Sequence, residues 1–350
     1  MRARKRVALA LAVAMVFTAC GDGDGDGGAA GGVGGDTREP ITMARATWDT
    51  GFMQAAIYAA LLEELGYEVS SPADLTRDAN GFYPALARGE IDLWANGWFP
   101  LHDRYLTGTL VTGQTYERAI TPIGTQVDNG ALQGYLVDKQ TADEYGITSM
   151  SDLADASIAQ LFDDDGDGKA DLIGCNEGWG CNLAITDHIL ELDWGGNVEQ
   201  ISGDYSDLMA RVETKIANGE PALFYTWTPN WTVDRLRVGT DVVWLESPSL
   251  PDTEGTTTVS GLAGCASDPC DLGWVVNDIR AVANSDFLDD NPAVKRLLEV
   301  VQIPLDDIAT QNAKMASADE YSDADIAADA HAWIEANRQL VDGWLATARG

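Results

Sequence analysis

Cys175 and Cys181 stand six residues apart around Asn176-Glu177-Gly178-Trp179-Gly180, and this spacing limits the local fold more than any other feature of the chain. Joined, they close a small loop. Apolar residues at helical spacing follow from Cys181 to Leu192, so the loop ends where a helix begins. Trp179 is therefore expected on a glycine-flanked turn, presented and not buried. The start of a helix offers free backbone N–H groups and a partial positive charge, which suit a carboxylate. An indole face suits a cation without N–H donors, such as a quaternary ammonium. One ligand carrying both groups is a betaine.

Around this segment, strand and helix patterns alternate as in an α/β protein. Ile41–Trp48 reads as a strand, Phe52–Leu65 as a helix, Glu68–Ser70 as a strand, Gly81–Arg88 as a helix and Ile91–Ala95 as a strand. Asn129–Val137 is a strand leading into a second unit. There Ile147–Phe162 is mostly helical, Cys181–Leu192 and Tyr205–Asn218 are helices, and Ala222–Tyr225 is a strand. Gly273–Asn284 returns as a strand, followed by amphipathic helices over Asn291–Gln302, Leu305–Met315 and Asp323–Leu345. The pattern predicts two α/β lobes, 41–134 with 276–350 and 135–275, between which the chain crosses more than once. Proteins built in this way close over a solute at the hinge cleft.

The first residues carry a compartment signal. Arg2, Arg4, Lys5 and Arg6 precede an apolar run from Val7 to Phe17 and then Thr18-Ala19-Cys20, which fits an export signal over residues 1–19. The run is too short to span a bilayer comfortably. A cysteine directly after small residues resembles the lipobox of bacterial lipoproteins, with Phe17 where leucine is usual, so Cys20 is expected to carry lipid. Residues 20–40, mostly Gly, Asp and Ala, would be a flexible tether to an extracytoplasmic body. The formal charge of −34 makes nucleic acid a poor partner. With Cys20 set aside, the other four cysteines fall into two local pairs, Cys175 with Cys181 and Cys265 with Cys270, as expected of disulfides in an exported chain.

Three further segments carry candidate chemistry. Trp98-Phe99-Pro100-Leu101-His102 follows the strand ending near Ala95, where α/β sheets place ligands at strand carboxyl ends. Trp98 would supply an aromatic wall and His102 a donor to a carboxylate, against the alternative of a core tryptophan and a surface histidine. Trp227, beyond the strand ending at Tyr225, is a second wall, a role Trp231 fits equally well on residue type. Trp244, Trp333 and Trp344 read as packing residues. Asp163, Asp165, Asp167, Gly168, the Lys169 carbonyl and Asp171 match the first nine positions of an EF-hand-like loop, but the twelfth is Gly174. A weakly held calcium ion and a solvated acidic turn fit this loop about equally. No G-x-S-x-G is present, none of His102, His188 and His331 sits in an H-E-x-x-H, and no cysteine is left as a nucleophile, so no catalytic site is expected.

Over roughly Ile41 to Leu345 these segments, with Tyr225–Trp231 and Pro304–Ile308, make the chain resemble the ProX-type glycine betaine/proline betaine-binding proteins of ABC transporters. The resemblance implies a two-lobe periplasmic-binding-protein fold of type II with its ligand in the interlobe cleft. It also implies an ABC permease as partner. It assigns a three-tryptophan box to Trp98, Trp179 and Trp227, the ligand carboxylate to His102 and the N–H groups of Gly180 and Cys181, and a family disulfide to Cys175 and Cys181. Phe99 departs from the small polar residue common beside the first tryptophan, and the Cys265/Cys270 pair is not a family feature. Choline or another quaternary ammonium solute is the alternative ligand, and an enzyme acting on such a compound is the reading from another class.

Overall fold

The computed structural model describes residues 39–318 and 320–350; the expected export signal, Cys20 and most of the tether lie outside the described residues. The strands are β1 (Met43–Ala46), β2 (Thr76–Arg77), β3 (Leu93–Phe99), β4 (Ile120–Asp138), β5 (Ala170–Ile173), β6 (Val198–Ile201), β7 (Leu223–Thr228), β8 (Val242–Leu245), β9 (Thr258–Val259), β10 (Cys270–Asp271) and β11 (Asn277–Asn284). Nine of them form one mixed sheet in the order β2-β1-β3-β11-β4-β7-β5-β6, with β8 on β4 as well. Helices separate the strands as far as β8, giving the α/β class.

The 19-residue β4 joins the two halves of this sheet. Up to Ala131 it pairs antiparallel with β11, and from Leu132 onward with β7, while Tyr135–Asp138 also pair with β8. A strand that changes neighbours midway makes both halves share one backbone. The chain returns to the first half through β11, which lies between β3 and β4.

Helix Phe52–Glu64 buries Met53, Ile57, Tyr58, Leu61 and Leu62 among others, leaving almost no polar face. It needs none, because it is sandwiched between β1, β3 and helix Asp323–Ala336. Helix Tyr205–Asn218 is bounded as its sequence predicts: the Asp204 side chain accepts from the N–H groups of Ser206 and Asp207, and Gly219 ends it at φ 70°.

Several element boundaries differ from the sequence pattern. β3 runs on to Phe99 instead of stopping near Ala95, so Trp98 sits on the strand. Gly97 permits this close pairing, since a Cβ there would fall 2.4 Å from Val282 Cγ2 on β11. β7 likewise extends to Thr228 and carries Trp227 within it. Glu68–Ser70 contributes only an isolated bridge between Val69 and Ile41, Ile147–Phe162 breaks into short helical pieces, and the C-terminal helix divides at Asn337. The second disulfide, Cys265–Cys270, leads into the small β9–β10 ribbon.

Candidate binding site

Along β3, side chains alternate between faces, so Trp94, Asn96 and Trp98 share one face. Asn96 organises that face. Its Oδ1 accepts from the indole N–H of Trp98 at 2.9 Å and of Trp48 at 2.6 Å, and its amide donates to Gln54 Oε1. Two indoles from different segments are thus oriented by one buried side chain, with their N–H groups satisfied and their ring faces left for contact.

From the other half of the sheet, β5 runs into the loop closed by Cys175–Cys181, and Trp179 is the residue before helix Gly180–Glu191. No side chain caps this helix, so its leading N–H groups at Gly180 and Cys181 are free of local partners. Gly180 is packed tightly: a Cβ there would lie 2.9 Å from Leu101 Cδ2 and 3.4 Å from His102 Cδ2. Trp227 on β7 stands 5.8 Å from Trp179 at 79°, and Trp179 stands 5.4 Å from Trp48 at 74°.

His102 is buried, and its Nδ1 lies 3.2 Å from the Trp98 backbone N–H and 3.0 Å from the Tyr83 hydroxyl. A backbone N–H can only donate, so Nδ1 is the acceptor and Nε2 carries the proton. Burial, with a contribution from Arg104, lowers the imidazole to about pKa 3. His102 is therefore a neutral donor through Nε2, beside the start of a helix that also offers donors. That combination suits a carboxylate.

The structure brings Trp98, His102, Trp179, Gly180, Cys181 and Trp227 around a single cavity, and adds Trp48, Leu101, Gln133 and Tyr225 to its walls. The four cavity tryptophans are each no more than 6% exposed, so Trp179 is buried where the sequence suggested a presented ring. The reason is contact between the halves: the Trp179 indole donates to Thr47 Oγ1 at 2.7 Å and the Trp227 indole to Thr50 Oγ1 at 3.3 Å. Trp231 is not among the cavity walls; it packs beside Tyr205 and under Arg235. Trp244 is a core residue, and Trp333 stacks on Trp344.

Sequence reasoning missed Thr47, Trp48, Thr50 and Gln133. Gln133 Oε1 accepts from the Tyr225 hydroxyl at 2.7 Å, while its Nε2 is buried without a protein partner and the residue lines the cavity, so it is a further donor there. Two signals were available: Thr47-Trp48 stands at the end of the first predicted strand, and Gln133 interrupts an otherwise apolar strand. The space between the rings is about 30 Å³ and is partly open to solvent.

The OpuAC family, described as "Substrate binding domain of ABC-type glycine betaine transport system", matches residues 39–336. The chain is 37% identical over 297 residues to a glycine betaine/proline betaine-binding periplasmic protein of Salmonella typhimurium, covering 84% of this chain and 86% of that one. It is 38% identical over 298 residues to the glycine betaine-binding periplasmic protein OusX of Dickeya dadantii, covering 85% and 86%. Among solved structures, lactococcal OpuAC in its closed form with glycine betaine superposes with a TM-score of 0.64 at 14% identity, over 88% of this chain and all of that one. A choline-binding protein in complex with choline gives the same score at 17% identity, over 87% and 91%. At those identities the two structures speak for the two-lobe α/β fold alone. The extent of the family match and the identity to the periplasmic relatives establish that this chain belongs to the substrate-binding domains of ABC-type glycine betaine transport systems.

Proposed function

We propose that this protein captures glycine betaine or proline betaine outside the cytoplasm and passes it to an ABC permease, without transforming it. The observation that carries this reading is the convergence of indoles from both halves of the sheet on one cavity that also holds a neutral imidazole donor and an uncapped helix start. Trp98, Trp179 and Trp227, joined by Trp48, would surround the methylated nitrogen. His102, the Gly180 and Cys181 N–H groups, and Gln133 would bind the carboxylate. Several desolvated cation–π contacts of about 1–2 kcal/mol each are enough for micromolar affinity once ordering costs are met.

Because the walls come from both halves, the ligand makes its full set of contacts only when the halves approach, which is how a solute drives closure. We further propose that Cys20 is lipidated and tethers the protein to the membrane, with residues 20–40 forming the lipidated cysteine and its spacer. No helix among the described residues is long and apolar enough to cross a membrane. Isothermal titration with glycine betaine, proline betaine and choline tests the ligand assignment. Saturable heat with a betaine, and the same compound recovered intact by mass spectrometry, is the expected result. Absence of heat with all three, or conversion of the compound, overturns the reading.

A further inference from the structure

The acidic turn between Phe162 and β5 contains Asp163, Asp165 and Asp167, whose carboxylates approach within 4.8 Å of one another. A second group, Asp165, Asp171 and Glu199, meets the same distance and shares Asp165 with the first. Loop and cluster alone would amount to a solvated turn. Asp171 changes that. It is only 4% exposed, and its Oδ1 is buried with no hydrogen-bond partner. Its other oxygen, Oδ2, accepts from the Asp164 N–H at 3.0 Å. Arg211 and Lys215 donate to Asp164 at 2.6 and 2.5 Å, and Arg211 makes only a longer ion pair of 3.8 Å to Asp171 Oδ2, leaving Oδ1 without a donor. A buried carboxylate oxygen without a donor, among other carboxylates, is costly unless a cation completes the group.

The sequence match to a calcium loop failed at its twelfth position, Gly174. The fold supplies the missing carboxylate from another strand. β5 and β6 are parallel neighbours with Asp171 opposite Glu199, so both side chains project from the same face of the sheet. We propose that Asp163, Asp165, Asp167, the Lys169 carbonyl, Asp171 and Glu199 form a calcium site in which Glu199 takes the role that a glutamate at the end of the loop plays in an EF-hand. Oxygen-only donors with several carboxylates suit a hard divalent cation of this size. Gly166 and Gly168, at φ 83° and 94°, give the loop the turns it needs to wrap an ion. The ion would clamp the start of β5, whose far end leads into the disulfide loop that carries Trp179.

The test uses the full chain, stripped with a chelator and titrated with calcium chloride by calorimetry and thermal melting, in parallel with magnesium chloride. Saturable calcium binding at millimolar or tighter affinity, a melting temperature raised by calcium and much less by magnesium, and a loss of calcium affinity of at least about tenfold in Glu199→Gln and in Asp165→Asn support the proposal. Circular dichroism establishes that both variants are folded, and Glu199→Gln keeps betaine titration heat because Glu199 does not line the cavity. No calcium response up to about 10 mM overturns the site. Equal responses to the two metals, or calcium affinity unchanged in both variants, overturn it as well.

Discussion

The indole N–H of Trp179 donates to Thr47 Oγ1 at 2.7 Å, joining residues 132 positions apart in the chain. Thr47 follows β1 in the first half of the sheet, and Trp179 precedes helix Gly180–Glu191 in the second. The hydrogen bond therefore spans the cleft, and with Trp227 and Thr50 it ties ring orientation to the approach of the halves. Removing the acceptor by Thr47→Val should weaken glycine betaine binding about fivefold, the value of a net hydrogen bond near 1 kcal/mol. Stopped-flow tryptophan fluorescence should place the change in the dissociation rate. An unchanged dissociation rate would separate this bond from closure.

Each ring of the box should matter singly. Trp98→Ala, Trp179→Ala and Trp227→Ala should each lower betaine affinity about 5- to 30-fold, corresponding to about 1–2 kcal/mol per desolvated cation–π contact. Calorimetry on folded variants checks this. Affinity unaltered by all three would remove the box from the binding account.

Trp48, Trp98, Trp179 and Trp227 wall the cavity, so a ligand seated there lies against their indole rings. Betaine should thus change the tryptophan emission spectrum in a saturable way, with a midpoint equal to the calorimetric Kd. Binding by calorimetry with no spectral change would place the ligand elsewhere.

Acid should destabilise the fold through its buried imidazoles. Burial lowers His102 to about 3 and His188 to about 4, in the latter case against the pull of Asp187. In the unfolded chain both take up a proton near pH 6.5. Between about pH 6.5 and 4 the unfolded state then binds more protons, so stability falls as pH drops. Melting temperature against pH should decline through that window, and less steeply in His188→Gln. Parallel curves for the two proteins would contradict the assignment.

The two disulfides should separate stability from binding. Opening a six-residue loop costs about 2 kcal/mol in the chain-entropy account. Cys175→Ser with Cys181→Ser should lose that stability and also betaine affinity, because Trp179 and the helix start are both set by the loop. The pair Cys265→Ser with Cys270→Ser should leave affinity unchanged, since neither residue lines the cavity. Thermal melts and titrations on both variants check the contrast.

Trp98 and His102, four apart before a turn, and Trp179, between glycines before a helix, were legible as candidates because their neighbours mark element ends. Trp227 was legible as a strand-end aromatic, but nothing local separated it from Trp231. Only packing did, placing Trp227 beside Trp179 and Trp231 beside Tyr205. On β3, Gly97 weakens the β pattern in the sequence, while in the folded protein it is what lets β3 lie close against β11.

By itself the sequence determined the alternation of strands and helices, the pairing of nearby cysteines and the residue types able to meet a cation and a carboxylate, since these depend on periodicity, short chain separation and side-chain chemistry. The tertiary structure alone decided that Trp48 and Gln133 join the cavity, that His102 donates through Nε2, and that Glu199 stands opposite Asp171. Those relations arise between segments distant along the chain, and their spacing is set by how β-strands register and how the two halves of the sheet meet across β4.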